Sequence, residues 1–559
     1  MTIRHRVHRI IYVPLDDRPC NVGHVQMLAR MVDFELLVPP TELLGHYMTP
    51  GNADDIADWL LREAAGGSID CAILSLDMLT YGGLVASRTP DARTQLALDR
   101  LGVLARLREV IPEAATYAHS TIMRLSITAS SDEAAIHWQL LREYSETKGR
   151  LEALGQESDR QRLGELEKQI PISLLGKYEA CRERNHQVNR RAVEEASRGN
   201  IDFMVLAQED AAQYGPHLQE QDKLRRLIER HGLSQRVLIH PGADELGQTL
   251  FARFVHQHME KIPTAYVMYA NPQDAQNVAT FEDRPFSATL AGQMRTVGVE
   301  LADNAADADF VLAVNPPAPE KRSDYDSDDA AAARKQQAEE FFAAVTASVG
   351  DRRVAVCDVA FPNGAEDCFV QAMLAQELPL RQFLTFSAWN TAANSVGSAL
   401  AHGSVRLIAL QDKGAFDLAN LLVDLSPMRY LQLLDTLIDS EKAHIGVLFY
   451  HLADDWLYQT RVRPQVTEHV VNMLRASIFD LADSRPRVQS MVSDLLLRAV
   501  ADLWATHYLG KESVRIGPRE NATSLALAEL EETRITLPWG RLFEVDLNFK
   551  FGIELVTRK

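Results

Sequence analysis

Cysteine is scarce and never clustered. Five residues, Cys20, Cys71, Cys181, Cys357 and Cys368, are scattered over 559 positions. An odd number with no Cys-x-x-Cys spacing excludes a disulfide framework and a thiolate zinc site, and fits a reducing compartment. Positive charge is also short. With 58 Lys and Arg against 77 Asp and Glu the formal charge is -19, which supplies no basic field for a nucleic acid or an anionic membrane. Long apolar runs are missing, so no transmembrane segment is expected. The first residues run directly into the strand-like stretch Ile10 to Val13 with no signal-peptide core, and the expectation is a cytoplasmic protein. No Gly-x-Gly-x-x-Gly or Walker loop follows the first strand, and neither Gly-x-Ser-x-Gly nor His-Glu-x-x-His occurs. Dinucleotide, P-loop, serine-hydrolase and zincin chemistry therefore lack support.

What is present is an ordinary globular composition, 46% hydrophobic and 24% charged, in a chain long enough for two to four domains. Strand-like and helix-like segments alternate for about four hundred residues. Strands are expected at Ile10 to Val13, Glu35 to Val38, Asp70 onward, Thr116 to Met123, Asp202 to Ala207, Val237 to Ile239, Ala265 to Tyr269, Asp309 to Val314, Arg353 to Cys357 and Phe383 to Ser387. This predicts an α/β fold of mainly parallel sheets in two α/β domains sharing a cleft. The alternative is a TIM-like barrel plus extra βα units. The expected boundaries are 1–262 for the first domain, with a helical insertion over about 131–199 shaped as a hairpin broken near Pro171, and 263–412 for the second. Residues 413–559 form a helical region with a terminal β-hairpin, the latter placed at Thr536 to Phe549. The proline-rich tract Pro316 to Asp329 reads as a mobile loop, and Leu418 to Leu425 as helix.

The candidate chemistry lies where apolar runs stop. The first strand ends at Asp16, Asp17 and Arg18, and the third at Asp77, followed by Tyr81, Gly82-Gly83 and Arg88. The fourth ends at Arg124 and the fifth at Glu209 and Asp210, with Tyr214 behind. The sixth, in Arg236-Val-Leu-Ile-His-Pro-Gly-Ala-Asp-Glu-Leu-Gly247, delivers Asp244 and Glu245. In parallel α/β proteins, loops at strand carboxyl ends carry the chemistry. Helix capping explains single Asp residues there. It explains neither the arginines nor the doubled carboxylates, so a shared site is the preferred reading. Later in the chain, Trp389, Asn390 and Asn394 sit at a strand-to-helix turn, where a ring beside amides suits a sugar and helix capping explains the amides equally well. Asp454 and Asp455 read as a solvated helix start.

Two resemblances follow from these motifs. Pro-Leu-Asp-Asp-Arg-Pro-Cys-Asn (14 to 21), Leu-Asp-Met-Leu-Thr-Tyr-Gly-Gly-Leu-Val-Ala-Ser-Arg (76 to 88), Pro-Gly-Ala-Asp-Glu (241 to 245) and Trp-Asn-Thr-Ala-Ala-Asn (389 to 394) resemble the bacterial domain of unknown function 4127 over nearly the whole chain. That family implies no activity. Locally, His240-Pro-Gly-Ala-Asp-Glu245 is similar to the strand-end motif of family-20 β-hexosaminidases. That resemblance implies Asp244 orienting a substrate acetamido group and Glu245 protonating the leaving oxygen. Pro241 departs from that family's pattern, as does the position after a sixth strand.

Three function classes follow. The first is a glycoside hydrolase on a small or oligomeric sugar, an N-acetylhexosaminide by the second resemblance, needing no cofactor. Glu245 and Asp244 are its catalytic pair, and Asp16, Asp17, Arg18, Asp77, Tyr81, Arg88, Arg124, Glu209, Asp210, Tyr214, Trp389, Asn390 and Asn394 its binding residues. The second is a hydrolase or transferase using Mg or Mn held by Asp16, Asp77, Glu209 and Asp210. The third is a non-catalytic sugar or metabolite binder. In each the partner is a small molecule or carbohydrate, not a nucleic acid or membrane.

Overall fold

The apolar runs become strands of two parallel sheets, as their lack of alternation requires, since a strand covered by helices on both faces has no solvent side. The structure is a computed structural model that describes residues 8–319, 328–350, 352–376, 378–412, 427–516 and 523–557. The chain divides into two units. One comprises Met1–Val25, Phe34–Leu250 and Thr280–Gly292, the other Gln26–Asp33, Phe251–Ala279 and Gln293–Lys559.

The first unit holds β1 (Arg9–Val13), β2 (Glu35–Leu37), β3 (Cys71–Ser75), β4 (Ala115–Ile122), β5 (Phe203–Gln208) and β6 (Val237–Pro241), in the order β2-β1-β3-β4-β5-β6. Every residue of β3 and β5 is buried, whereas Glu35 on the edge strand β2 is exposed. Ile11 and Val13 pack with Ala72, Leu74, Ala118, Met204 and Leu206 and with Leu60 and Leu104 of flanking helices. The chain steps from β1 outward to β2, then returns to add β3 on the other side of β1. That reversal between β1 and β3 is where loops diverge and ligands bind in open α/β sheets.

Two local expectations change in this unit. The strand carrying Asp77 stops at Ser75, whose hydroxyl accepts the Met78 amide at 3.2 Å and caps a helix over Leu76–Tyr81. Asp77 thus lies in a first helical turn, beyond the strand end. The insertion is three helices, Asp132–Leu154, Glu157–Gln169 and Ile172–Ser197, where a hairpin was expected. The extra break is at Gly155, left-handed at φ 67° and able to end a helix without a side-chain clash. Met123, Leu141, Tyr144, Leu166 and Tyr178 give the insertion a small core of its own.

The second unit holds β7 (Thr264–Tyr269), β8 (Glu300–Leu301), β9 (Phe310–Asn315), β10 (Arg353–Asp358) and β11 (Phe383–Ser387), ordered β11-β10-β9-β7-β8. Both orders are open-ended, so the barrel alternative is not adopted. Helices follow, including Pro427–His451, which runs into a π-helix over Leu452–Val462, and Arg485–His507. An antiparallel sheet of β12 (Glu512–Ile516), β13 (Thr523–Thr536) and β14 (Asp546–Thr557) closes the chain. The terminal hairpin is real but displaced from the expected one. Leu537 to Val545 connects its strands, because Pro538 and Gly540 interrupt the ladder. Phe449 packs edge-on against Trp504, Tyr508 and Phe549, with centroids 4.9, 4.9 and 4.7 Å away, tying helices to this sheet.

The helix expected at Leu418 to Leu425 and most of the proline-rich tract lie outside the described residues. Among the described residues no helix is long and apolar enough to cross a membrane.

Candidate active site

The loop after β1 is held between prolines, and its charged triplet splits. Asp16 accepts the Arg18 backbone amide at 3.1 Å, a local turn natural to Asp. Its oxygens also take Nε of Arg18 at 3.1 and 3.0 Å and Nη2 at 2.7 Å. The same guanidinium reaches 226 positions along the chain: Nη1 donates to Asp244 Oδ2 at 3.2 Å, and Nη2 to Oδ1. Asn21 Nδ2 joins both acids, at 2.7 Å from Asp16 and 3.3 Å from Asp244. Asp16, Arg18 and Asp244 are 2%, 4% and 3% exposed. Burial and the Asp16 charge push the Asp244 carboxyl up, against the pull of Arg18. Asp17 faces away from this clamp and pairs with His46 Nδ1 at 2.6 Å.

Asp244 thus serves a longer-range contact than the cap of its own helix. Glu245 is buried, and its Oε2 accepts the Ala243 amide at 2.9 Å. The helix beginning at Leu246 packs on β1 so closely that a Cβ on Gly247 would overlap the Tyr12 hydroxyl. That hydroxyl donates to the Asn21 carbonyl at 2.6 Å. One small residue therefore lets the loops after β1 and β6 meet. His240 is a buried residue whose Nδ1 lies 2.8 Å from the Pro241 carbonyl.

A second network joins β3, β4 and β5. Asp77 takes the Thr121 amide at 2.9 Å and its hydroxyl at 2.7 Å. Burial lifts its carboxyl to about 7, with those two bonds opposing the shift and the Glu209 charge adding to it. Arg88 pairs with Glu209 and donates to Thr128 Oγ1 at 2.9 Å. Arg124 pairs with Asp210 and lies 3.8 Å from Glu209. Glu209 Oε2 and Arg88 Nε are buried with no hydrogen-bond partner among the described residues. Tyr81 lies under the Arg184 guanidinium, 4.5 Å from its ring centre, and Arg184 also donates to the carbonyls of Thr89 and Ala92 at 2.8 and 3.0 Å. Tyr81 therefore helps shape the Arg88 loop. The Tyr214 backbone lies against the insertion, where a Cβ on Gly149 would sit 3.0 Å from its carbonyl carbon.

Trp389, Asn390 and Asn394 belong to the second unit, after β11. Trp389 is 9% exposed, with the Phe543 ring 6.1 Å away, so little of its face is open for stacking. Asn390 adopts φ 65° and its carbonyl accepts the Asn363 amide at 2.9 Å. Asn394 is buried with no hydrogen-bond partner for Oδ1 among the described residues.

For two acids beside these residues sequence reasoning favoured a solvated helix start. Asp454 and Asp455, expected in solvent, are 6% and 1% exposed. They lie on the π-helix, a rare i→i+5 turn that recurs at functional sites. The Asp455 carbonyl accepts the Ala365 amide at 2.8 Å, and its side chain takes the Ala388 amide at 2.7 Å with His451 Nδ1 3.0 Å away. Burial pushes both carboxyls up, and the Asp455 charge raises Asp454 further. Asp358, ending β10, is lifted to about 7 by burial and by Glu366. The signal available was Leu452-Ala453 before the acids and Trp456-Leu457-Tyr458 after them, apolar flanks that a solvated turn would not carry.

Among the described residues no group of three His, Cys, Asp or Glu side chains is arranged to hold a metal. Of the four proposed ligands, Asp16, Glu209 and Asp210 face guanidinium groups and Asp77 faces Thr121. A family model described as protein of unknown function (DUF4127) matches residues 10–548. No curated protein matches the chain.

Proposed function

We propose, for a chain that belongs to the DUF4127 family and inherits no activity from it, a glycoside hydrolase acting at the carboxyl rim of the first sheet. Glu245 is the acid/base and Asp244 its positioning partner. Arg88 and Arg124 take the substrate's hydroxyl or anionic groups. The observation that carries this reading is the Arg18 clamp, which spends five hydrogen-bond contacts on orienting two buried acids. A carboxyl held in that way, next in the chain to a second buried acid, suits one group that orients substrate and one that moves a proton to the leaving oxygen. The resemblance of the motif at 240–245 to family-20 β-hexosaminidases supports an N-acetylhexosaminide among the substrates. None of the five cysteines forms a disulfide, in keeping with a cytoplasmic enzyme on a small or oligomeric sugar.

A panel of chromogenic glycosides, N-acetylhexosaminides included, assayed with and without EDTA tests this. Hydrolysis should survive the chelator. Glu245→Gln should lower kcat by about 10²-fold or more while substrate affinity stays within a few-fold. No turnover of any glycoside by folded protein, or full turnover by Glu245→Gln, overturns the proposal. Loss of activity to EDTA would replace it with the magnesium- or manganese-dependent reading.

A further inference from the structure

The second unit contains a cavity of about 440 Å³ that the proposed chemistry leaves unused. Its walls are apolar: Leu374, Leu378, Phe383, Phe386, Leu448 and Leu452 line it. Leu374, Leu378 and Phe383 stay only partly buried against the core of this unit. Apolar surface left uncovered in a concave site of this size is the usual setting for a small ligand, with a few polar groups fixing its orientation. Here those groups are Thr506, His507, Tyr508 and Lys511, close together in the chain.

Among the described residues the charged group on the lining is Lys511. Lys511 is pinned by its backbone, its amide donating to the Tyr508 carbonyl at 3.0 Å and its carbonyl accepting the Leu527 amide at 3.0 Å. Its ammonium makes no ion pair among the described residues, and no Asp or Glu lines the cavity among them. Burial, helped by the Lys511 charge, holds the His507 imidazole below its usual pKa, so it is a neutral donor at pH 7. The helix Arg485–His507 ends here. Its terminal dipole amounts to about half an elementary negative charge, which a whole ammonium outweighs.

We infer that this cavity binds a small amphipathic monoanion, a medium-chain carboxylate whose tail lies along Leu374, Leu378 and Phe383 and whose head meets Lys511 and His507. The site is separate from the acids proposed for hydrolysis and stands whether or not that reading holds.

Calorimetric titration of the full chain with sodium octanoate, octylamine and octanol tests it. Octanoate should bind at least tenfold more tightly than octylamine. Lys511→Gln should bring the two within about threefold. Ala375→Trp, at an exposed position lining the cavity, should abolish binding of all three with the circular dichroism spectrum unchanged. Octylamine binding as well as octanoate, no octanoate binding at millimolar concentration, or octanoate binding unaffected by Ala375→Trp would each overturn the inference.

Discussion

Replacing Arg18 by Met removes the cation shared by two acids while keeping most of the side-chain volume. In the native protein Asp16 and Asp244 share that guanidinium through Nε, Nη1 and Nη2, with Asn21 as the remaining link. In the variant two buried carboxyls face each other with one amide between them. Removing one member of a buried ion pair costs about 3–5 kcal/mol, and because two acids lose the same partner the upper half of that range is expected at pH 8. The sign with pH follows from linkage. Burial already raises the Asp244 carboxyl and Arg18 opposes that shift, so loss of Arg18 moves it further above the unfolded chain, whose Asp side chains titrate near 4. The variant's stability therefore recovers as pH falls through that raised value, and its deficit should shrink by about 1–2 kcal/mol between pH 8 and pH 5. Urea unfolding of both proteins at those two pH values measures this. Adding Asp244→Asn should return at least about 1 kcal/mol at pH 8, because one buried charge is gone. A deficit under about 1 kcal/mol at pH 8, or one that grows on acidification, would refute the claim that Arg18 compensates the charge of these two buried acids.

Asp77→Asn should flatten part of the native pH dependence. With a folded pKa of about 7 against an ordinary 3.8, protonated Asp77 stabilises the fold below pH 4, and that stability is lost as pH rises through 7, about 2–3 kcal/mol between pH 5 and pH 8. Urea unfolding of the variant should lack that increment, and an unchanged slope would show that Asp77 is not the group. Gly247→Ala should destabilise by about 1–3 kcal/mol through overlap with Tyr12, despite the better helix propensity of Ala. Tyr12→Phe in the same chain should restore part of the loss in thermal melts. Asp455→Ala should cost about 1–3 kcal/mol by orphaning the buried Ala388 amide. Asp455→Asn, which keeps an acceptor, should stay within about 1 kcal/mol of native at pH 7.

The ten strands could be read from sequence because each is an apolar run stopped by a turn or charged residue. Phe383–Ser387 matches to the residue, and β6 extends only to Pro241 beyond the expected Ile239. The two-residue β8 carries no period to detect, and both its residues are exposed. Helix boundaries went astray where one side chain or backbone angle decides them, as at Ser75 and Gly155. Asp454 and Asp455 were misplaced because charge is a prior for solvent. That prior fails when neighbouring elements supply amides to the buried carboxyl, as Ala388 does.

Composition and local pattern by themselves determined an α/β protein, cysteines outside disulfides, no membrane-crossing helix among the described residues, and acids and arginines at the ends of strands. Those properties depend on residues adjacent in the chain. Which acid meets which arginine was decided only by the tertiary structure. Strand order β2-β1-β3-β4-β5-β6 and the close approach at Gly247 bring Arg18 to Asp244, and Arg88 to Glu209, across 226 and 121 positions. Sheet order is a sum of many weak burial terms, and no short window of sequence contains it.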